Sequence, residues 1–256
     1  MTIPKITHQI WMQGWKNLPE KFQDNVEILH EMNPGYKHMK WDEDSLRSEC
    51  KKYGEDCLKR FDSFEILMNK VDFGRYVVLY NYGGISVDTD MVSLRPIDDT
   101  PLSDHNFLVS EISYPGNLIG LKNSAVVICT KGNSIMKDGV ERIIADQRTQ
   151  KDFYSREEYI SSIAGPQFIG KLVEDHRDEV GILSYVYFEP CSPRDPSCTI
   201  PEESIMDHQH ELSWTSPLYK FLIWLLYFLL NSFNYILISL VFYTLYYVYK
   251  KNKRAK

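Results

Sequence analysis

A ten-residue stretch, Asn81-Tyr82-Gly83-Gly84-Ile85-Ser86-Val87-Asp88-Thr89-Asp90, constrains this chain more than any other. Gly83-Gly84 signals a tight turn, and Ile85-Ser86-Val87 reads as a short buried strand. That strand runs out on two aspartates one residue apart. Side chains at i and i+2 of a strand point the same way, so the carboxylates of Asp88 and Asp90 are expected to converge. Converging carboxylates are costly unless a cation lies between them. Oxygen donors favour Mg²⁺ or Mn²⁺, and such an ion would hold a diphosphate. A bare Asp-x-Asp pair is more often a solvated turn; the Gly-Gly turn and apolar strand before it set this one apart.

The surrounding pattern alternates strand and helix. Strands are expected over residues 3–11, 36–41, 85–88, 107–110, 125–129 and 182–188. Helices are expected over 19–32, 69–81, 134–147 and 166–178, with Asp42 capping a further helical stretch. Asn33-Pro34-Gly35 ends the first helix. Alternation of this kind implies an α/β domain with a mostly parallel sheet. The 256 residues suffice for one sizeable core, and 43% hydrophobic and 25% charged residues are ordinary for a globular protein.

The net charge of −6 conceals an asymmetry, because residues 250–256 carry five positive charges. Without them the chain has 24 basic against 35 acidic residues. So acidic a body argues against nucleic acid as a partner, but not against a phosphorylated ligand held through a metal. Five cysteines give no disulfide framework. Cys191 and Cys198 flank a Pro-rich loop, residues 189–203, that reads equally as a flap over a site or as a surface connection. With no secretory signal at the N-terminus, two reduced thiols are the expectation there. Cys50 and Cys57 lack the companions of a zinc site.

Residues 221–249 contain no charged side chain and are dominated by Leu, Ile, Phe and Tyr. The run is long enough for one tilted span or, with its interruption at Asn231-Ser232-Phe233-Asn234, for a hairpin. The expected organisation is a catalytic domain over 1–215, a membrane anchor over 216–249 and a basic tail over 250–256. Positive-inside logic places the tail in the cytosol. One span would then put the body in the lumen, but no leader is visible to send it there, so a cytosolic body on an endomembrane or host membrane is the expectation.

Two further clusters carry chemistry. Asp72 and Arg75 lie three apart on the helix leading into the Gly-Gly turn, hence on one face. That is the spacing of an ordinary surface ion pair, yet a carboxylate there can accept sugar hydroxyls and a guanidinium can hold phosphate. Asp207-His208-Gln209-His210-Glu211 offers two histidines near carboxylates, a metal-ligand pattern that surface histidines also produce.

Four stretches in order make the chain resemble the family 32 glycosyltransferases, which include inositol-phosphoceramide mannosyltransferases. They are Ile3-Pro4-Lys5-Ile6-Thr7-His8-Gln9-Ile10-Trp11; Asn33-Pro34-Gly35-Tyr36 through Trp41-Asp42; Val71-Asp72-Phe73-Gly74-Arg75-Tyr76 through Asp88-Thr89-Asp90; and Gly165-Pro166 with His208 and Ser213-Trp214. The resemblance implies a GT-A-like, Rossmann-like nucleotide-sugar-binding domain. It also implies Mn²⁺- or Mg²⁺-dependent, retaining transfer of a hexose from GDP-mannose or a UDP-hexose to a glycan or lipid acceptor. Asp90 would be the main metal ligand, with Asp88 and His208 helping. Asp72 and Arg75 would bind the donor sugar, Ile10 and Trp11 the base, and Trp214 would close over the donor, with Gly83 and Gly84 at the donor site. Arg75, Asp88 and Asp90 would form the catalytic group. The family commonly has Tyr where this chain has Ser86, and a small residue where it has Val71, departures expected to alter donor packing. The rival readings are a phosphatase of the haloacid-dehalogenase type, since Asp88-Thr89-Asp90-Met91-Val92 also fits that nucleophile pattern, and an inactive membrane-bound relative.

Overall fold

The computed structural model describes residues 2–101, 105–113, 116, 120–192, 198–211, 215–226, 228–229, 232 and 243–244. The chain divides into two compact units, Met1–Trp214 and Thr215–Lys256. The first is a mixed α/β unit.

Its elements in chain order are β1 (Ile6–Ile10), α1 (Glu20–Met32), β2 (Lys37–Trp41), α2 (Glu43–Tyr53), α3 (Glu55–Ser63), α4 (Leu67–Tyr82), β3 (Gly84–Val87) and β4 (Met91–Ser93), followed by β5 (Phe107–Glu111), β6 (Lys122–Cys129), α5 (Ser134–Ala145), α6 (Arg156–Ile163), α7 (Pro166–Asp175), β7 (Gly181–Leu183) and β8 (Met206–His208). Six strands form one sheet in the order β2-β1-β3-β6-β5-β7, and β4 pairs with β8 in a second. β1 runs parallel to β2 and β3, and β5 parallel to β7. β6, however, runs antiparallel to both β3 and β5, so the expectation of a mostly parallel sheet needs correction at its centre. The reason is local: β5 ends at Glu111 and β6 begins at Lys122, and a parallel pair needs a crossover of about a dozen or more residues to return the chain.

Alternation along the central strands separates two cores. Phe107, Val109, Val127 and Cys129 face one cluster, with Leu46, Phe61, Phe73, Tyr76, Val140 and Ile169 from the helices. Leu108, Val126 and Ile128 face the other, with Leu29 of α1, Met91 of β4 and Met206 of β8. Each fully buried Leu, Ile or Phe contributes roughly 1.5–3 kcal/mol. α4 is buried on nearly all sides, from Asp72 through Leu79, which is why it shows no clean amphipathic stripe.

Local signals were mostly well placed. Asp42 caps α2 in a reciprocal box with Ser45. The strand expected over 182–188 stops at Leu183, because the Ser184 hydroxyl accepts from Val186 N–H and starts a 3-10 turn over Tyr185–Tyr187. Cys191 and Cys198 are disulfide-bonded with Cα atoms 5.7 Å apart, correcting the expectation of reduced thiols. The loop brings them within bonding reach, a closeness that spacing alone could not reveal.

In the second unit residues 217–226 are helical. Leu218, Phe221, Leu222 and Trp224 are exposed. Among the described residues no helix is long and apolar enough to cross a membrane. Most of the expected anchor over 216–249, the tail over 250–256, and Trp214 lie outside the described residues.

Candidate active site

The turn between α4 and β3 is built by close backbone approach. Gly83 and Gly84 have φ of 64° and 100°. A Cβ on Gly83 would lie 2.4 Å from the Lys131 nitrogen, and one on Gly84 2.4 Å from the Ile6 carbonyl oxygen. Only glycine satisfies both demands. These glycines therefore have a structural role whether or not a donor touches them. His8 pins the same turn. The Trp41 indole N–H donates to His8 Nδ1 at 3.1 Å, which leaves Nε2–H to donate to the Gly83 carbonyl at 2.8 Å. Burial pushes His8 down to about 4, so the ring stays neutral.

Fixed in this way, α4 and β3 bring three expected site residues together. Arg75 Nη1 meets Asp72 Oδ1 at 2.6 Å and its Nη2 meets Asp88 Oδ1 at 2.5 Å. Its Nε–H donates to Ser86 Oγ at 3.2 Å. Asp72 and Arg75 are buried, whereas a third of the Asp88 side chain meets solvent. Burial pushes Asp72 up to about 7, against the pull of Arg75, and the nearby charge of Asp88 adds to the rise. Asp88 is also raised, by burial and by Asp90, against Arg75 and His208. Arg75 is held more firmly charged than usual because the two carboxylates outweigh its burial. A Cβ on Gly165, at the start of α7, would lie 3.4 Å from Asp72 Oδ2, so the Gly165-Pro166 pair packs against this carboxyl.

Asp90 is positioned from the far end of the chain. β8 pairs with β4 so that Met91 faces His208. His208 Nε2 lies 3.3 Å from Asp90 Oδ2, and Glu211 N–H donates to the same oxygen at 3.3 Å. Burial works against the Asp90 charge, but His208 and Glu211 N–H hold the carboxyl below its usual range. Asn25 of α1 donates to the Thr89 carbonyl at 3.0 Å and to Gln209 Oε1 at 3.2 Å, tying the Asp-x-Asp turn to the β8 segment. Carboxylates that feel one another at a strand end form an oxygen-rich donor set suited to a hard divalent cation. Asp88 and Asp90 would hold it, with His208 beside them.

The expected base-binding residues have packing partners of their own. Ile10 packs on the helical core. Trp11 packs with Leu18, Phe22 and Val26, its ring centroid 5.6 Å from that of Phe22. Its buried Nε1–H has no partner among the described residues.

Sequence reasoning missed several participants. Ser86 was read as a missing ring; it is the acceptor for Arg75 Nε. Asn25 and Gln209 carried no signal. Glu189 marked only the start of a loop, yet it is buried, and its carboxylate, His208 and His210 place ligand atoms all within 4.8 Å of one another.

Residues 19–108 match the family described as the glycosyltransferase sugar-binding region containing a DXD motif. Over that stretch the chain is similar to glycosyltransferases with an Asp-x-Asp sugar-binding region. An uncharacterised glycosyltransferase of Acanthamoeba polyphaga mimivirus is 38% identical over 98 residues, 38% of this chain and 39% of that protein. Inositol phosphoceramide mannosyltransferase 3 of Schizosaccharomyces pombe is 32% identical over 96 residues, 38% of this chain and 26% of its own length. The initiation-specific alpha-1,6-mannosyltransferase of Candida albicans is 27% identical over 46% of this chain and 32% of that protein. The chain thus aligns with well under half the length of these relatives. The solved PaToxG glycosyltransferase is 18% identical, with a TM-score of 0.47 over 68% of this chain and 70% of its own. The sequence matches agree with the expected resemblance to a family that includes inositol-phosphoceramide mannosyltransferases.

Proposed function

We propose that this protein is a metal-dependent, retaining glycosyltransferase with a GT-A-like domain. It would move a hexose from GDP-mannose or a UDP-hexose to a glycan or lipid acceptor. The observation that carries the reading is Arg75, fully charged and held between Asp72 and Asp88 where β3 opens, inside the stretch that matches the sugar-binding region.

Asp72, with one oxygen on Arg75, has a second oxygen to accept a donor-sugar hydroxyl. Arg75 stabilises negative charge developing on the diphosphate as the glycosidic bond breaks. Asp90, kept ionised by His208 and Glu211 N–H, and Asp88 would hold Mn²⁺ or Mg²⁺, which supplies further charge neutralisation to the leaving group. Trp11 and Ile10 would receive the base, and Trp214 would cover the donor. The reacting carbon would pass through an oxocarbenium-like state, with the acceptor's proton going to the departing phosphate on the same face. The mannosyltransferase names of the relatives favour GDP-mannose. A membrane anchor in the apolar C-terminal run, on a host or endomembrane, would favour a lipid-linked acceptor.

The test is Mn²⁺-dependent hydrolysis of common nucleotide sugars by the purified chain, with Asp90→Asn as comparison. One donor should be turned over and the variant should lose at least about a hundredfold. Equal turnover by the variant would remove Asp90 from the mechanism.

A further inference from the structure

The side of His208 turned away from Asp90 has no role in that reading. Its Nδ1 is buried and makes no hydrogen bond, and the same holds for His210 Nε2. Both atoms face one carboxylate. His208 Nδ1 lies 3.6 Å from Glu189 Oε2, and His210 Nε2 lies 3.9 Å from Glu189 Oε1. The two rings stand with centroids 4.1 Å apart.

The opposite edge of His208 is engaged, with Asp90 facing Nε2, while the inward nitrogens of both rings have no hydrogen-bond partner. That is how metal-bound histidines are held: the second nitrogen donates to a carboxylate or a backbone carbonyl. Glu189 has the matching support. Ser113 N–H and Oγ–H donate to Oε1 at 3.3 and 3.0 Å, and Asn123 Nδ2–H donates to Oε2 at 3.2 Å. Its side chain is 3% exposed and that of His210 9%. The backbone is strained to make this fit, because His210 has φ of 50°, a left-handed conformation that a non-glycine residue adopts at a cost of roughly 1–3 kcal/mol.

We infer that Glu189, His208 and His210 form a cation site of their own, of the zinc type, adjoining the Asp-x-Asp pair. Two imidazoles and one carboxylate suit Zn²⁺ better than Mg²⁺. Tetrahedral zinc with bonds of about 2.0–2.2 Å sets its ligand atoms roughly 3.3–3.6 Å apart, close to the separations seen here. Three protein ligands leave a fourth position open. The ion would join β8 to the disulfide-closed loop and so hold His208 Nε2–H against Asp90. Glu189 and His210 are not among the donors of the ion expected at Asp88 and Asp90, and zinc binding is read without sugar nucleotide, so the inference stands whether or not sugar transfer is found.

The test is calorimetric titration of the chelator-stripped full chain with Zn²⁺, without any sugar nucleotide. One equivalent should bind to the unaltered chain and to Asp88→Asn. His210→Ala and Glu189→Gln should bind at least about tenfold more weakly, with unchanged far-UV circular dichroism. Unchanged affinity in both ligand variants would overturn the assignment, as would loss of binding in Asp88→Asn. Proton NMR of the unaltered chain loaded with Co²⁺ gives a readout that needs no variant. Two shifted, exchangeable imidazole N–H signals are expected, from His208 Nε2 and His210 Nδ1. Their absence means that a proton on His208 holds the cluster and refutes the metal.

Discussion

Removing the guanidinium of Arg75 tests the charge balance on which the site rests. Arg75→Ala deletes two charge-assisted hydrogen bonds, to Asp72 and Asp88, and one to Ser86. Asp88 is partly in solvent, so water screens its loss. Asp72 is not, with a side chain 6% exposed. Stranding a buried charge typically costs about 3–5 kcal/mol, which is the upper bound on the loss at pH 7, since Asp72 can take a proton instead. The penalty is relieved when Asp72 takes a proton. Even beside Arg75 its carboxyl sits near 7, raised by burial, and without Arg75 it rises further. A carboxyl raised in the folded state favours folding most at low pH, and that contribution falls as pH climbs from its unfolded value towards its folded one. Each chain gains up to roughly 1.4 kcal/mol per pH unit, but the parent's Asp72 takes up its own proton over the same range, so the gap between variant and parent should shrink by no more than about 0.4 kcal/mol from pH 7 to pH 5. Urea unfolding of the chelator-stripped full chain, followed by far-UV circular dichroism, measures both values. Adding Asp72→Asn to Arg75→Ala should recover at least about 1 kcal/mol at pH 7, because the stranded charge is gone. A variant costing under about 1 kcal/mol at pH 7, or a double variant that shows no recovery, would refute the reasoning.

Other outcomes follow from the same geometry. Ser86→Ala should cost about 1 kcal/mol in urea unfolding by orphaning Arg75 Nε–H. Ser86→Tyr, the residue usual in the family, should cost about 1–3 kcal/mol, because Ser86 is buried between His8 of β1 and Val127 of β6; a stabilised Tyr variant would contradict this. Gly83→Ala should lower thermal stability by more than about 1 kcal/mol, since φ is positive and Lys131 blocks the Cβ. Replacing Cys191 and Cys198 by Ser opens a short loop and should cost about 2–3 kcal/mol by chain entropy; unfolding that is identical with and without the bond would contradict this.

The local sequence determined much of this protein. The Gly-Gly turn, the apolar strand and the paired aspartates marked the candidate site. The i, i+3 spacing of Asp72 and Arg75 on α4 placed them on one face, because helical geometry needs only neighbours in the chain. Capping at Asp42 and the helix ended by Asn33-Pro34-Gly35 were legible for the same reason. Tertiary structure decided the rest. The antiparallel placement of β6 depends on which strands meet. Ser86 became a partner of Arg75 only because β3 lies beside α4. Asn25, Glu189 and Gln209 joined the site because β4 pairs with β8 across more than a hundred residues. Asp88 and Asp90 lie past the end of β3, in a turn closed by Met91 N–H on the Asp88 carbonyl, so a strand's period of two does not set their directions. Which histidine nitrogen faces Asp90, and which faces Glu189, is fixed by contacts between distant segments that no local pattern encodes.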